Sequence, residues 1–230
     1  MLTGPGSDKG IKATGYVVRQ HEVRENGRKR DELRLRYSED ADYMEKYLRE
    51  YIRLHGLTQS LSALNTALEM HKEQKRAEGL PYVIHPMILA MHGIALGITD
   101  DDLLAVMLLH DVCEDCPVRP DELRVNENVR HGVRCITKTR WEGESKEAAM
   151  KRYMEQIRDS KEACIAKVFD RCHNVSSMAG VFREKRMQAY ITETELYIYP
   201  LMEHIRQTYP EYDHVMFALE YQITSVLKGR

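Results

Sequence analysis

Apolar positions recur along this chain at three- and four-residue intervals, the period of a helix that buries one face. Tyr43, Tyr47, Tyr51 and Leu54 carry that spacing from Glu39 to Leu54, and Leu61, Leu64, Leu68 and His71 mark the inner side of a second helix over Ser60–Ala77. The same reading predicts helices near 86–97, 101–111, 120–126, 128–136, 145–158, 161–174, 183–199, 200–207 and 211–227. Breaks such as Gly97-Ile98-Thr99 and Tyr209-Pro210 separate them. Two short strands, Tyr16–Val23 and Glu32–Tyr37, flank the turn-favouring pair Asn26-Gly27 and are expected to form a hairpin. The fold class expected is therefore all-α, a helical bundle with an N-terminal appendage that includes this hairpin.

With 230 residues, 43% of them hydrophobic, the chain can bury one substantial core. We expect an N-terminal extension over 1–57, a main domain over 58–208 and a C-terminal helix over 209–230. The formal net charge of −2 provides no global field for nucleic acid or membrane. Seven Arg or Lys residues against four acids between Arg19 and Arg36 form a local basic excess that fits either RNA contact or a solvated hairpin. No apolar run approaches the ~20 residues that span a bilayer, and the first residues lack the apolar region of a signal peptide, so a cytoplasmic protein is expected. Five cysteines, an odd number in a chain of this length, point to reduced thiols. Cys113 and Cys116 form a single CxxC, and a closed zinc site needs further ligands at matching spacing.

Candidate chemistry centres on His110-Asp111-Val112-Cys113-Glu114-Asp115, which closes the apolar run Leu103–Leu109. Imidazole beside carboxylate suits a hydrated divalent metal, and the two later acids lie one helical turn on. Upstream, in Pro81-Tyr82-Val83-Ile84-His85-Pro86, the proline disfavours helix at His85 and suits the first position of a helix that follows. Downstream, in Lys167-Val168-Phe169-Asp170-Arg171-Cys172-His173-Asn174, the four-residue spacing sets Asp170 and Asn174 on one face. His173 falls about 100° from Asn174 around the helix and is read as structural. Mixed imidazole and carboxylate ligands without thiolate suit manganese or ferrous iron better than a structural zinc, and ligand softness alone does not choose between these ions.

Taken together and in order, Arg76 to Pro86, Leu108 to Asp115 and Asp170 to Asn174 resemble the hydrolase domain of the RelA/SpoT family, a branch of the HD phosphohydrolases. The resemblance runs from about Leu61 to about Tyr199 and implies an all-helical HD domain. It implies one manganese ion held by His85, His110, Asp111 and Asp170, and removal of the 3′-diphosphate from the alarmones ppGpp and pppGpp with release of pyrophosphate. Carried over by position, Glu114 and Asp115 become the acids that orient or deprotonate water. Arg76 and Asn174 become groups facing the substrate, and Arg186 and Tyr190 look like the nucleotide-contacting pair of the short stand-alone hydrolases. A small-molecule nucleotide is then the expected partner, with a homo-oligomer also compatible.

Two segments depart from the family pattern. Arg76-Ala77-Glu78-Gly79-Leu80-Pro81-Tyr82 stands where Arg-Lys-Ser-Gly-Glu-Pro-Tyr is usual, which removes a basic and a hydroxyl group beside the expected nucleotide pocket. Phe169 stands before Asp170 where the family has alanine, an expected change in the pocket wall. These departures keep open an antitoxin-type hydrolase acting on another alarmone or on a pyrophosphorylated tRNA 3′ end, and a nucleotide-binding regulatory module without turnover.

Overall fold

Every residue from Leu103 to Leu109 is buried, and the helix they form is the hub of the molecule. A helix apolar on all sides has no face for water, so other helices must surround it. The computed structural model describes residues 40–76, 79–177 and 184–228, with the backbone only for 184–186. In chain order the helices are α1 (Ala41–His55), α2 (Thr58–Met70), α3 (Ile84–Ala95), α4 (Asp101–Leu109), the single turn α5 (Val112–Asp115) and α6 (Glu127–Ile136). They continue with α7 (Lys146–Ile157), α8 (Lys161–Ser177), α9 (Glu184–Glu193), α10 (Tyr199–Thr208) and α11 (Asp213–Lys228). α4 packs against α2, α3, α6 and α8, and α8 in turn packs against α10 and α11. The expected all-α class holds: among the described residues there are helices, turns and one isolated bridge, Lys75 to Pro81. None of these helices is long and apolar enough to cross a membrane. The expected hairpin lies outside the described residues.

Local chemistry explains the helix starts. Asp100 caps α4 by accepting from the backbone N–H of Asp102 and Leu103, each at 3.1 Å, and its carboxylate also meets the Lys161 ammonium at 2.7 Å. The adjacent Asp101 caps a different helix: it accepts from the N–H of Gln59 and Ser60 at 2.9 and 2.7 Å, the open first turn of α2. Two consecutive aspartates thus tie α4 to α2 and α8. Close approach of α6 to α4 depends on Gly132, where a Cβ would lie 2.8 Å from Val106 Cγ2.

The buried stripes differ from the expected ones by a small rotation. α1 buries Met44, Leu48 and Ile52, whereas Tyr43, Tyr47 and Leu54 stay exposed. Successive residues lie about 100° apart, so the aromatic stripe runs beside the core-facing one, and tyrosine tolerates that half-wet position. In α2 and its C-cap, Leu64 and His71 are buried and Leu68 half-buried as expected, joined by Ser60, Ala63 and Ala67, and only Leu61 is exposed. α2 also ends at Met70 instead of Ala77. Lys72, Glu73 and Gln74 offer no apolar stripe, and the chain reverses through Gly79 at φ 86°, with Arg76 N–H donating to Leu80 O at 2.9 Å. α9 and α10 are joined by a wide turn, Thr194–Ile198, just ahead of Pro200, which has no N–H to give Leu196.

Candidate metal centre

Three helices and one helix end bring the predicted metal-ligand residues together. His85 lies in the first turn of α3, which begins at Ile84; the expected start at Pro86 moves back by two residues because a first-turn proline has no helical N–H bond to lose. His110 ends α4, Asp111 opens α5, and Asp170 projects from the middle of α8. His110 Nε2 lies 3.0 Å from Asp111 Oδ2 and 3.1 Å from His85 Nε2. His85 Nε2 is 3.5 Å from Asp111 Oδ2 and 3.3 Å from Asp170 Oδ1, which is 3.9 Å from His110 Nε2. Both histidines are buried.

This donor set fits a divalent cation. His110 Nδ1 faces the Met107 carbonyl at 2.9 Å and must donate to it, so the lone pair of a neutral His110 sits on Nε2 and points into the cluster. His85 Nδ1 lies 2.6 Å from His173 Nδ1, and with His85 as the donor of that bond the lone pair of His85 Nε2 likewise faces the cluster. Two imidazole lone pairs and two carboxylate oxygens facing one another have no hydrogen to share and are matched by a positive ion.

Electrostatics without an ion shows the same imbalance. Burial alone lowers the His110 imidazole, but the Asp111 and Asp170 carboxylates reverse this and hold it at about 9. Burial raises the Asp111 carboxyl, yet the histidines His110 and His85 pull it below the ordinary carboxylate range. Asp170 is likewise driven well down against burial, above all by Lys167, whose ammonium reaches Asp170 Oδ2 at 2.9 Å.

The two acids expected to handle water follow on α5. Glu114 accepts a hydrogen bond from the Lys138 backbone N–H. The residue is exposed at the rim of the site, yet loss of water around its carboxylate raises that carboxyl, against the pull of the Lys138 N–H and the Lys167 charge. Asp115 is exposed. Its carbonyl accepts from Gln74 Nε2 at 3.1 Å, and the Tyr82 hydroxyl, which donates to Asp111 Oδ2 at 2.6 Å, also lies within reach of the Asp115 carboxylate.

The residues expected to face substrate are dispersed around this centre. Asn174 donates to Asp170 Oδ1 at 2.5 Å, and with Tyr190, Lys167 and Glu114 it borders a cavity of about 170 Å³. Arg76 is half-buried and donates to Ser177 Oγ at 3.3 Å. Tyr190 lies beneath the Arg171 guanidinium, 4.5 Å from its ring centre. Arg186 is on α9, with its side chain outside the described residues, as are Ala77 and Glu78. Phe169 does not form the pocket wall: it is fully buried and packs edge-on to His92 at 5.3 Å.

Sequence reasoning passed over Tyr82, Lys167, Gln74 and the real place of His173. For His173 a signal existed, because it follows Asp170 by three residues and so shares its helix face. Cys113 and Cys116 are half-buried free thiols, and burial raises both above the usual thiol range.

A helical body holding a histidine and aspartate cluster at the end of its central helix defines a hydrolase of the HD type. No family model matches the chain. It is 35% identical over 141 residues to a guanosine-3′,5′-bis(diphosphate) 3′-pyrophosphohydrolase of Aquifex aeolicus, covering 59% of this chain and 20% of that protein. It is 33% identical over 144 residues to the guanosine-3′,5′-bis(diphosphate) 3′-pyrophosphohydrolase MESH1 of Xenopus tropicalis, covering 56% of this chain and 77% of that protein. A solved metazoan orthologue of SpoT superposes with a TM-score of 0.58 at 21% identity, over 75% of this chain and 96% of that one, and shares the fold. The chain belongs to the RelA/SpoT-type family of HD hydrolases. It spans about a fifth of the length of the Aquifex relative.

Proposed function

We propose that this protein removes the 3′-diphosphate of a guanosine 3′,5′-bis(diphosphate), using one divalent metal, manganese, held by His85, His110, Asp111 and Asp170. The observation that carries the reading is the convergence of those four side chains, with two acids one turn further on, in a chain whose relatives bear that activity in their names. A bound metal would polarise the phosphoryl oxygen and lower the pKa of water. Glu114 and Asp115 orient that water and take its proton as its oxygen joins the phosphorus next to ribose O3′. The phosphorus–O3′ bond breaks, O3′ receives a proton and pyrophosphate leaves. Asn174 and Lys167 hold Asp170 in place from opposite oxygens. Arg76, Asn174, Arg186 and Tyr190 are assigned to the nucleotide side.

The test is incubation with ppGpp and manganese, beside ppApp, NADPH and a pyrophosphorylated tRNA. Release of pyrophosphate from ppGpp, lost in Asp111→Asn, is expected. Cleavage of other phosphoesters with none from ppGpp would overturn the reading.

A further inference from the structure

The turn that carries Glu114 and Asp115 is too short to hold itself. α5 spans four residues, far below the ~12 that an isolated helix needs, and Asp111 at its start makes no side-chain cap. Contacts from elsewhere must therefore place the two acids. Val112 anchors the turn in the core, the Lys138 N–H meets Glu114, and the Tyr82 hydroxyl meets Asp111. The far end of the turn is held by Gln74.

Gln74 Nε2 donates to the Asp115 carbonyl at 3.1 Å and to Cys116 Sγ at 3.5 Å, although 41 residues separate Gln74 from Asp115. A carbonyl in the last turn of a helix has no partner within that helix, and here the side-chain amide supplies the missing donor.

His71 decides which end of the amide faces the turn. The Asp115 carbonyl can only accept, so Gln74 presents Nε2 to it and turns Oε1 toward His71 Nδ1, 2.7 Å away. The amide oxygen also can only accept, which puts the His71 proton on Nδ1. Burial holds this imidazole below its ordinary value, so it stays neutral and keeps a single N–H for the bond. His71 is 1% exposed, and its Nε2 has no hydrogen-bond partner among the described residues. A leucine would fill the same inner position without an unpaired nitrogen, so the imidazole is poor packing and suits the aiming of Gln74.

Tyr82 braces the same pair. Its N–H donates to the Gln74 carbonyl at 2.9 Å, and its ring packs on His71 with centres 4.7 Å apart. Through the Tyr82 hydroxyl at Asp111 and the Gln74 amide at Asp115, one unit touches both ends of the turn.

We infer that Gln74, oriented by His71, is a positioning residue that sets the turn bearing Glu114 and Asp115 against the metal ligands. The inference rests on the proposed role of those acids in handling water. Gln74 bonds the main chain of Asp115, so it acts on where the acids stand. A misplacement of about 1 Å at such a group costs roughly 10²-fold in rate.

Gln74→Met keeps the length of the side chain and removes its donor. It is expected to lower kcat on ppGpp about 10–100-fold, with KM and calorimetric manganese affinity within about twofold of wild type. A lowered Tm with kcat intact would make the contact merely structural and overturn the inference. A fall in kcat matched by an equal loss of manganese affinity overturns it too. His71→Leu should reproduce the kcat defect, and His71→Asn, which keeps an N–H near the Nδ1 position, should recover most of it. Equal kcat in the two His71 variants overturns the orienting role. If wild-type protein releases no pyrophosphate from ppGpp, the proposed function falls, and hydrogen exchange decides the positioning. The N–H groups of Glu114, Asp115 and Cys116, bonded within the turn at 2.9–3.1 Å, should exchange about tenfold faster in Gln74→Met at unchanged global stability. Equal exchange overturns it.

Discussion

His173 Nδ1 lies 2.6 Å from His85 Nδ1, so the orientation of one candidate ligand is set by a second histidine from α8. The His173 imidazole is pushed down to about 3 by burial and by the nearby His85 and Arg76, so it stays neutral and able to accept a proton bond. Replacing His173 with alanine should weaken manganese binding about 10–100-fold, the usual cost of removing a partner behind a ligating imidazole. Isothermal calorimetry on the purified protein checks this. Unchanged metal affinity would make the contact incidental.

Lys167 is half-buried and neutralises the buried Asp170 from the side away from the histidines. In Lys167→Met the buried carboxylate loses that partner, and the metal-free protein should lose about 3–5 kcal/mol of stability. A divalent ion supplies positive charge to the same carboxylate, so saturating manganese should raise Tm more in Lys167→Met than in wild type. Equal shifts in the two proteins would count against Asp170 as a ligand.

Gly132→Ala places a methyl group 2.8 Å from Val106 Cγ2, on a branched side chain with no free end to move. Overpacking of this kind costs about 1–3 kcal/mol. Urea unfolding should show that loss, and adding Val106→Ala should return part of it.

The Asp100 carboxyl is raised by burial but lowered further by Lys161 and by the two N–H groups it caps, leaving it below the ordinary carboxylate value. A carboxyl depressed on folding adds stability above its unfolded pKa, and that stability is lost as pH falls through the folded pKa. Asp100→Asn keeps the cap and removes the charge. It should therefore be less stable than wild type at pH 7, by about 1 kcal/mol or less for a partly exposed pair, and should converge with it near pH 2. Thermal unfolding across pH 2–7 measures both; a gap that persists in acid would point to a cause other than the ion pair.

Much of this organisation is written in the chain where one interaction dominates. The all-apolar Leu103–Leu109 run can only be a central helix, and the His85, His110, Asp111 and Asp170 spacing places each near a helix end or on an inner face. What escaped reading depends on contacts across long separations. Gln74 reaching the Asp115 carbonyl and Tyr82 reaching Asp111 join segments 41 and 29 residues apart, which no helical period encodes. The α1 stripe was legible to within one residue, because Met44 and Tyr43 differ in burial for reasons of neighbouring helices and not of their own spacing.

Trp141 is the single tryptophan of the chain, and in the loop between α6 and α7 it carries the Arg152 guanidinium on its face. The native protein is consequently its own optical sensor. Its fluorescence reports whether Arg152 still fastens this loop, separately from any chemistry at the metal.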